Sequence, residues 1–235
     1  MGNDEARYGW GSDFPTFRGT PARVIRGRLE SFIRDASQGQ IRAWDESIPP
    51  LQREVEEVLR VNEEAAAYGA ILEYELPMES RRPDVILLAK GAVVLLELKG
   101  KTSPSQADID QASAYARDLR CYHIECESRD VVPVVVPVRA RGYLGDYGGV
   151  HVAGPDYVDQ LVDDLKERSE LPPLTRARFL AESAYRPLPT LVHAARELFQ
   201  HESSHRGDWQ NTWNESSCTP QVLSAMPAQA ALYAR

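Results

Sequence analysis

The stretch Arg81-Arg82-Pro83-Asp84-Val85-Ile86-Leu87-Leu88-Ala89-Lys90-Gly91-Ala92-Val93-Val94-Leu95-Leu96-Glu97-Leu98-Lys99-Gly100 decides the fold. Two runs rich in Val, Ile and Leu flank Ala89-Lys90-Gly91, a glycine-bearing break of hairpin length, so the spacing predicts two antiparallel strands joined by a tight turn. Pro83 suits the first position of a strand, and Asp84 opens the first run. Glu97 and Lys99 are separated by one residue and project from the same face of the second strand. Pairing the runs brings Asp84 close to both of them. Two carboxylates and an amine then converge at one edge of a buried sheet, and burying charge is costly unless it is paired or bound to a metal. The plain alternative is a solvated strand end with Asp84 as a turn residue.

Upstream, Ile71-Leu72-Glu73-Tyr74-Glu75-Leu76 alternates from Leu72 onward and reads as a strand with one wet face, giving three consecutive antiparallel strands. Glu73 and Glu75 share that face as spectators, with Glu75 at most a minor contributor to a metal cluster. Before it, Ile41 to Ile48 has helical spacing and meets Pro49-Pro50, which predicts a kink or stop and a renewed helix through Leu51, Val55, Leu59 and Val61. Thr20-Pro21 opens a further helix through Val24, Ile25, Leu29, Phe32 and Ile33, with Arg18, Arg23, Arg26, Arg28 and Arg34 reading as a solvated face. Residues 1 to about 19 lack periodicity and read as a loosely packed arm.

Downstream, Ser105 or Asp108 starts a helix carrying Ile109, Ala112, Tyr115, Ala116 and Leu119, on which Gln111 and Tyr115 share a face. Val131 to Val138 is a Val/Pro run that reads as a buried or edge strand, and Gly149 to Ala153 as a short fifth strand. Tyr157 to about Arg168 and Leu191 to Phe199 are candidate helices. The order helix, three strands, helix, strand predicts an α/β fold around a small mixed sheet flanked by helices. The expected organisation is an arm and helix over 1–38, a main domain over 39–170, a helical extension over 171–202 and a tail over 203–235.

The chain of 235 residues has globular shares of hydrophobic (43%) and charged (26%) residues, enough for a sizeable core. No apolar run reaches the length of a membrane span and no signal-peptide core opens the chain, so the expectation is a cytoplasmic protein without membrane contact. Cys121, Cys126 and Cys218 match no zinc or disulfide spacing and read as reduced thiols. The net charge of -8 argues against a coat-like grip on nucleic acid but leaves room for a local basic groove around an acidic metal site.

Pro83-Asp84 followed by Glu97-Leu98-Lys99 resembles the namesake motif of the PD-(D/E)xK nuclease superfamily. Gln111-x-x-x-Tyr115 resembles the extra motif of its RecB-like branch, and the element order resembles the restriction-endonuclease-like αβββαβ core. The likeness covers roughly residues 40 to 140. More narrowly, Trp44 to about Gln200 is similar to the N-terminal nuclease region of bacterial nuclease-helicase fusions. Those proteins carry a segment similar to Arg186-Pro187-Leu188-Pro189-Thr190-Leu191 before a helicase. No Walker A loop follows here, so a stand-alone nuclease and a fragment of a fusion are both open.

The resemblance implies a Mg²⁺-dependent deoxyribonuclease, with Mn²⁺ able to substitute, in phage defence or DNA repair. Asp84, Glu97 and Lys99 would be catalytic. Asp84, Glu97, the Leu98 carbonyl and a helical glutamate would hold metal. Glu46 is the choice for that glutamate, with Glu54 and Glu57 competing. Gln111 and Tyr115 would contact substrate or steady the site. Arg81 and Arg82 suit bidentate phosphate clamping, with charge balance as the equal alternative. The implied partners are DNA, with RNA open, a helicase and a second copy of the chain. The competing class is a non-catalytic nucleic-acid-binding module. His201-Glu202-Ser203-Ser204-His205 spells a zinc-protease pattern without a third ligand, and reads as chance. His123 reads as structural.

Overall fold

The computed structural model describes residues 7–76, 81–164 and 171–186. All of them fall in one compact unit, Met1–Pro187. Its strands are β1 (Tyr8–Asp13), β2 (Gly69–Tyr74), β3 (Val85–Ala89), β4 (Ala92–Lys99), β5 (Val131–Pro137), β6 (Leu144–Tyr147) and β7 (Val150–Ala153). They form one mixed sheet in the order β1-β2-β3-β4-β5-β7-β6. The first four pair antiparallel, β5 lies parallel to β4 and β7, and β6 runs antiparallel to β7. The helices are α1 (Phe14–Gly19), α2 (Ala22–Phe32), α3 (Gln38–Val61), α4 (Gln106–Tyr122), α5 (Val158–Asp164) and α6 (Arg176–Phe179).

The predicted hairpin is present, with Ala89 paired to Ala92 across Lys90-Gly91. Both turn residues have positive φ, 48° and 82°, the combination a two-residue primed turn requires. Alternation along β3 and β4 then divides the core. Val85, Leu87, Val94 and Leu96 face a layer made by α1, α2, α3 and α5. Ile86, Leu88, Val93 and Leu95 face Tyr115, Ala116 and Leu119 of α4 and Phe179 of α6. Each such buried Val or Leu contributes about 1.5–3 kcal/mol, so a register slip that exchanged the faces is strongly disfavoured.

Several expectations change. Residues 8–19 are no loose arm: they form β1 and α1, with Phe14 and Phe17 fully buried. Asp13 caps α1 by accepting the Thr16 N–H at 2.8 Å. At the outer side of β1, the Arg176 guanidinium donates to the Gly11 carbonyl. β2 has no wet face, because β1 covers its edge and helices cover both sides; all six residues are buried. α3 runs as a single helix through Pro49-Pro50. Prolines remove two amide donors there, and the burial of Trp44, Ile48, Leu51, Val55 and Val58 carries the helix across the gap. Of the two alternatives for β5, buried or edge, the buried one holds: it is interior despite Pro133 and Pro137.

Ser105 starts α4 through a capping box with Asp108, as expected. β6 was not foreseen. Cys126 is a buried free thiol, as expected. No helix among the described residues is long and apolar enough to cross a membrane. The C-terminal part of the helix expected to reach Arg168, the helix expected over Leu191 to Phe199, the His201 to His205 pattern and the tail over 203–235 lie outside the described residues.

Candidate active site

Strand register builds the site. β2 pairs Leu72 with Val85, and β3 pairs Val85 with Leu96. One residue further along, Glu73 stands opposite Asp84 and Asp84 opposite Glu97. The Glu73 N–H donates to the Asp84 carbonyl at 2.9 Å, which fixes that row. Three acids thus occupy neighbouring strands, about 4.8 Å apart per strand, an arrangement that like charges alone would oppose.

Neighbouring groups offset part of that repulsion. The Lys99 ammonium lies 3.0 Å from Glu97 Oε2 and donates at 3.0 Å to Gln111 Oε1. Gln111 in turn donates to the Tyr115 hydroxyl at 3.2 Å. Asp84 Oδ2 accepts the Leu98 N–H at 2.7 Å. An extended residue points its N–H and C=O to the same side, so the Leu98 carbonyl opens toward β3 as well. Glu97 Oε1 is buried without a hydrogen-bond partner.

Burial, reinforced by Asp84, pushes the Glu97 carboxyl up to about 8, with Lys99 pulling the other way. Burial also raises Asp84, opposed by the Leu98 N–H and by Lys99. For Lys99, burial works to lower the pKa, but Glu97 and then Asp84 outweigh it and hold the ammonium above its ordinary value. Burial thus works first against the ionisation of both carboxyls, and Lys99 opposes it.

The other expected residues divide. Gln111 and Tyr115 join the cluster from α4. Arg81 and Arg82 have acidic partners within the fold: Arg81 pairs with Asp118 at 2.5 Å and lies over the Tyr115 ring, and Arg82 approaches Glu73 at 3.5 Å. Charge balance, the alternative to phosphate clamping, is what these contacts provide. Glu46 is exposed on α3 and pairs with Arg139 at 3.6 Å. Glu54 accepts the Val158 and Asp159 amides at the start of α5, and Glu57 pairs with Arg60. Each candidate helical glutamate thus has its contacts away from Asp84 and Glu97. Glu75 donates its N–H to the Arg7 carbonyl. His123 is structural, its Nε2 at 2.9 Å from the Phe179 carbonyl and its ring stacked on Phe179.

Glu73 is the residue that sequence reasoning passed over. Its φ of 53° breaks the alternation and turns the side chain toward α3. There the Trp44 indole donates to Glu73 Oε1 at 2.8 Å. Burial, and next the Asp84 charge, push Glu73 up to about 7. Glu73, Asp84, Trp44, Gln40 and Leu98 line a cavity of about 80 Å³ between α3 and the sheet. The available signal was its position opposite Asp84 in a three-stranded pairing. An assumed wet face hid it.

Among the described residues no group of three or more His, Cys, Asp or Glu side chains is arranged to hold a metal ion. Mg²⁺ is commonly held by only one or two carboxylates with water completing its shell. Asp84 and Glu97 are hard oxygen donors, and the unpartnered Glu97 Oε1 is an acceptor with capacity left. The donor set fits a magnesium-like cation. Compared with protein-family models, curated proteins and solved structures, the chain finds no match.

Proposed function

We propose that the protein is a Mg²⁺-dependent nuclease that hydrolyses phosphodiester bonds of DNA on a restriction-endonuclease-like core. The observation that carries this reading is Lys99, 3.0 Å from Glu97 on the strand end that faces Asp84. The order α3-β2-β3-β4-α4-β5, with β2 to β4 antiparallel and β5 parallel to β4, supports the core assignment.

In this reading Asp84, Glu97 and the Leu98 carbonyl would hold the ion, and Mn²⁺ would substitute. The bound cation supplies charge neutralisation at the phosphoryl oxygens and a more acidic water. Lys99 holds a fixed positive charge where the phosphorane develops negative charge, and accepts no reorganisation cost at that moment. Gln111 fixes the ammonium through its amide oxygen, and Tyr115 fixes Gln111. The setting in phage defence or DNA repair, beside a helicase or as a pair of chains, follows from the resemblance alone.

The second reading is a non-catalytic nucleic-acid-binding module, favoured by the engagement of Glu46 with Arg139 away from the carboxylates. Incubating linear, circular and single-stranded DNA with Mg²⁺ or Mn²⁺, with EDTA, and with Lys99→Ala in parallel separates the two. Metal-dependent cutting that disappears in the variant is the expected result. DNA binding without cutting would sink the nuclease and leave the module, and equal cutting by both proteins would indicate a contaminant.

A further inference from the structure

The row that contains Asp84 and Glu97 continues across the sheet. Glu97 pairs with Val135, Val135 with Val152, and Val152 with Gly145 on β6. Gly145 therefore stands three strands from Glu97, roughly 14 Å away at the usual strand spacing. Tyr143 and Tyr147 flank it, and all three face the same side of the sheet as Glu97. A Cβ on Gly145 would meet the Tyr147 ring at 3.2 Å and the Tyr143 ring at 3.5 Å, so both rings lie over the bare backbone of this glycine. Their hydroxyls touch. Tyr143 packs on Val135, Val150 and Val152, whereas Tyr147 is 47% exposed. The result is an aromatic shelf on the outermost strand.

Cations lie on the segment that joins shelf and cluster. The segment from β5 to β6 runs along the carboxyl ends of the parallel strands and carries Arg139 and Arg141, both exposed. The Arg139 N–H bonds the Lys101 carbonyl at 3.1 Å, which places this segment against the residue two beyond Lys99. Arg139 and Lys101 keep acidic neighbours, Glu46 at 3.6 Å and Asp108 at 2.7 Å, yet both side chains remain about half or more exposed to solvent. In a chain of net charge -8, a run of three cations ending at an aromatic pair with one exposed ring is complementary to a polyanion with ring-shaped side groups.

We propose that Tyr143 and Tyr147 form a stacking site for the unpaired bases of a single-stranded nucleic acid, whose phosphates follow Arg141, Arg139 and Lys101 toward Lys99. Bases held in a duplex have their faces covered by neighbouring pairs, so the shelf selects single-stranded segments or ends. The inference rests on the reading of Asp84, Glu97 and Lys99 as the point of cleavage only for the direction of this path.

The test measures binding in EDTA, where no cutting occurs, by fluorescence anisotropy of labelled oligo-dT and of an abasic oligomer of equal length. Wild-type protein should bind oligo-dT about tenfold tighter than the abasic strand, the scale of one stacked base. Tyr147→Ala should remove that preference, and Gly145→Ala, whose added methyl crowds the Tyr147 ring at 3.2 Å, should weaken it. Arg141→Ala should weaken both oligomers alike and flatten the salt dependence. Equal affinity of the wild type for both strands, binding to neither, or a preference that survives in both tyrosine-shelf variants overturns the proposal. Loss of metal-dependent cutting with the preference intact would sink the nuclease reading and leave the shelf standing.

Discussion

The Asp84 carboxylate accepts the Leu98 N–H at 2.7 Å, one residue beyond the Val85–Leu96 pair that ends the β3–β4 ladder. The same side chain that faces Glu97 therefore also closes the hairpin. Asp84→Ala leaves a half-buried amide without a partner and should cost about 1 kcal/mol of stability. Asp84→Asn keeps an acceptor there and removes one like charge from the row. Thermal melts should show the Ala variant clearly destabilised and the Asn variant at or above the wild-type midpoint, while DNA cutting is lost in both.

Lys99 and Gln111 separate charge from positioning. Lys99→Ala should reduce cutting by at least about a hundredfold, the usual scale for removing one preorganised electrostatic group. Gln111→Ala leaves the ammonium in place with one tether fewer, and should cost about tenfold with little change in the fold. Single-turnover rates on a short DNA substrate read both effects. A Gln111→Ala loss as large as that of Lys99→Ala would show that the amide does more than hold the lysine.

The buried, unpartnered Glu97 Oε1 predicts a metal response. Adding Mg²⁺ to metal-free protein should raise the melting midpoint by about 2–4 °C for each kcal/mol of binding energy. Glu97→Gln should abolish the response by removing one of the two carboxylate donors. Calorimetric scans with and without the ion check this, and an unchanged response in the variant would move the metal away from Glu97.

Glu54 makes stability depend on pH at a place remote from this cluster. Burial, and the Asp159 carboxylate beside it, push Glu54 up from 4.5 to about 7 even though two amides at the start of α5 favour its charge. The folded protein keeps a proton that the unfolded chain releases near 4.5. Its stabilisation is full below that pH and is lost as pH rises through about 7. Glu54→Gln should flatten this part of the stability profile and melt above wild type at mildly alkaline pH. Denaturant midpoints across that range would detect it, and parallel profiles for the two proteins would exclude Glu54 as the source.

The centre of the fold was legible because two kinds of signal agree there. Lys90-Gly91 dictates a turn, and the apolar runs on either side admit one register, which carries Asp84 to Glu97. The α4 motif was legible for a similar reason: Gln111 and Tyr115 are four apart on a capped helix. β1 was hidden because Gly9 and Gly11 break its pattern, and its burial comes from β2 and α2 rather than from its own alternation. The single helix through Pro49-Pro50 was hidden because local propensity opposes it and packing overrides it. Glu73 depended on one left-handed backbone angle, which no spacing rule encodes.

The contact of Arg176 with Gly11 has a consequence for synthesis. During translation β1 emerges well before its guard, which is 165 positions downstream. Until the ribosome has delivered α6, the outermost strand offers an unguarded ladder of amides and carbonyls, the kind of margin at which chains cross-pair. Nascent chains stopped short of Arg176 should therefore be the sticky ones.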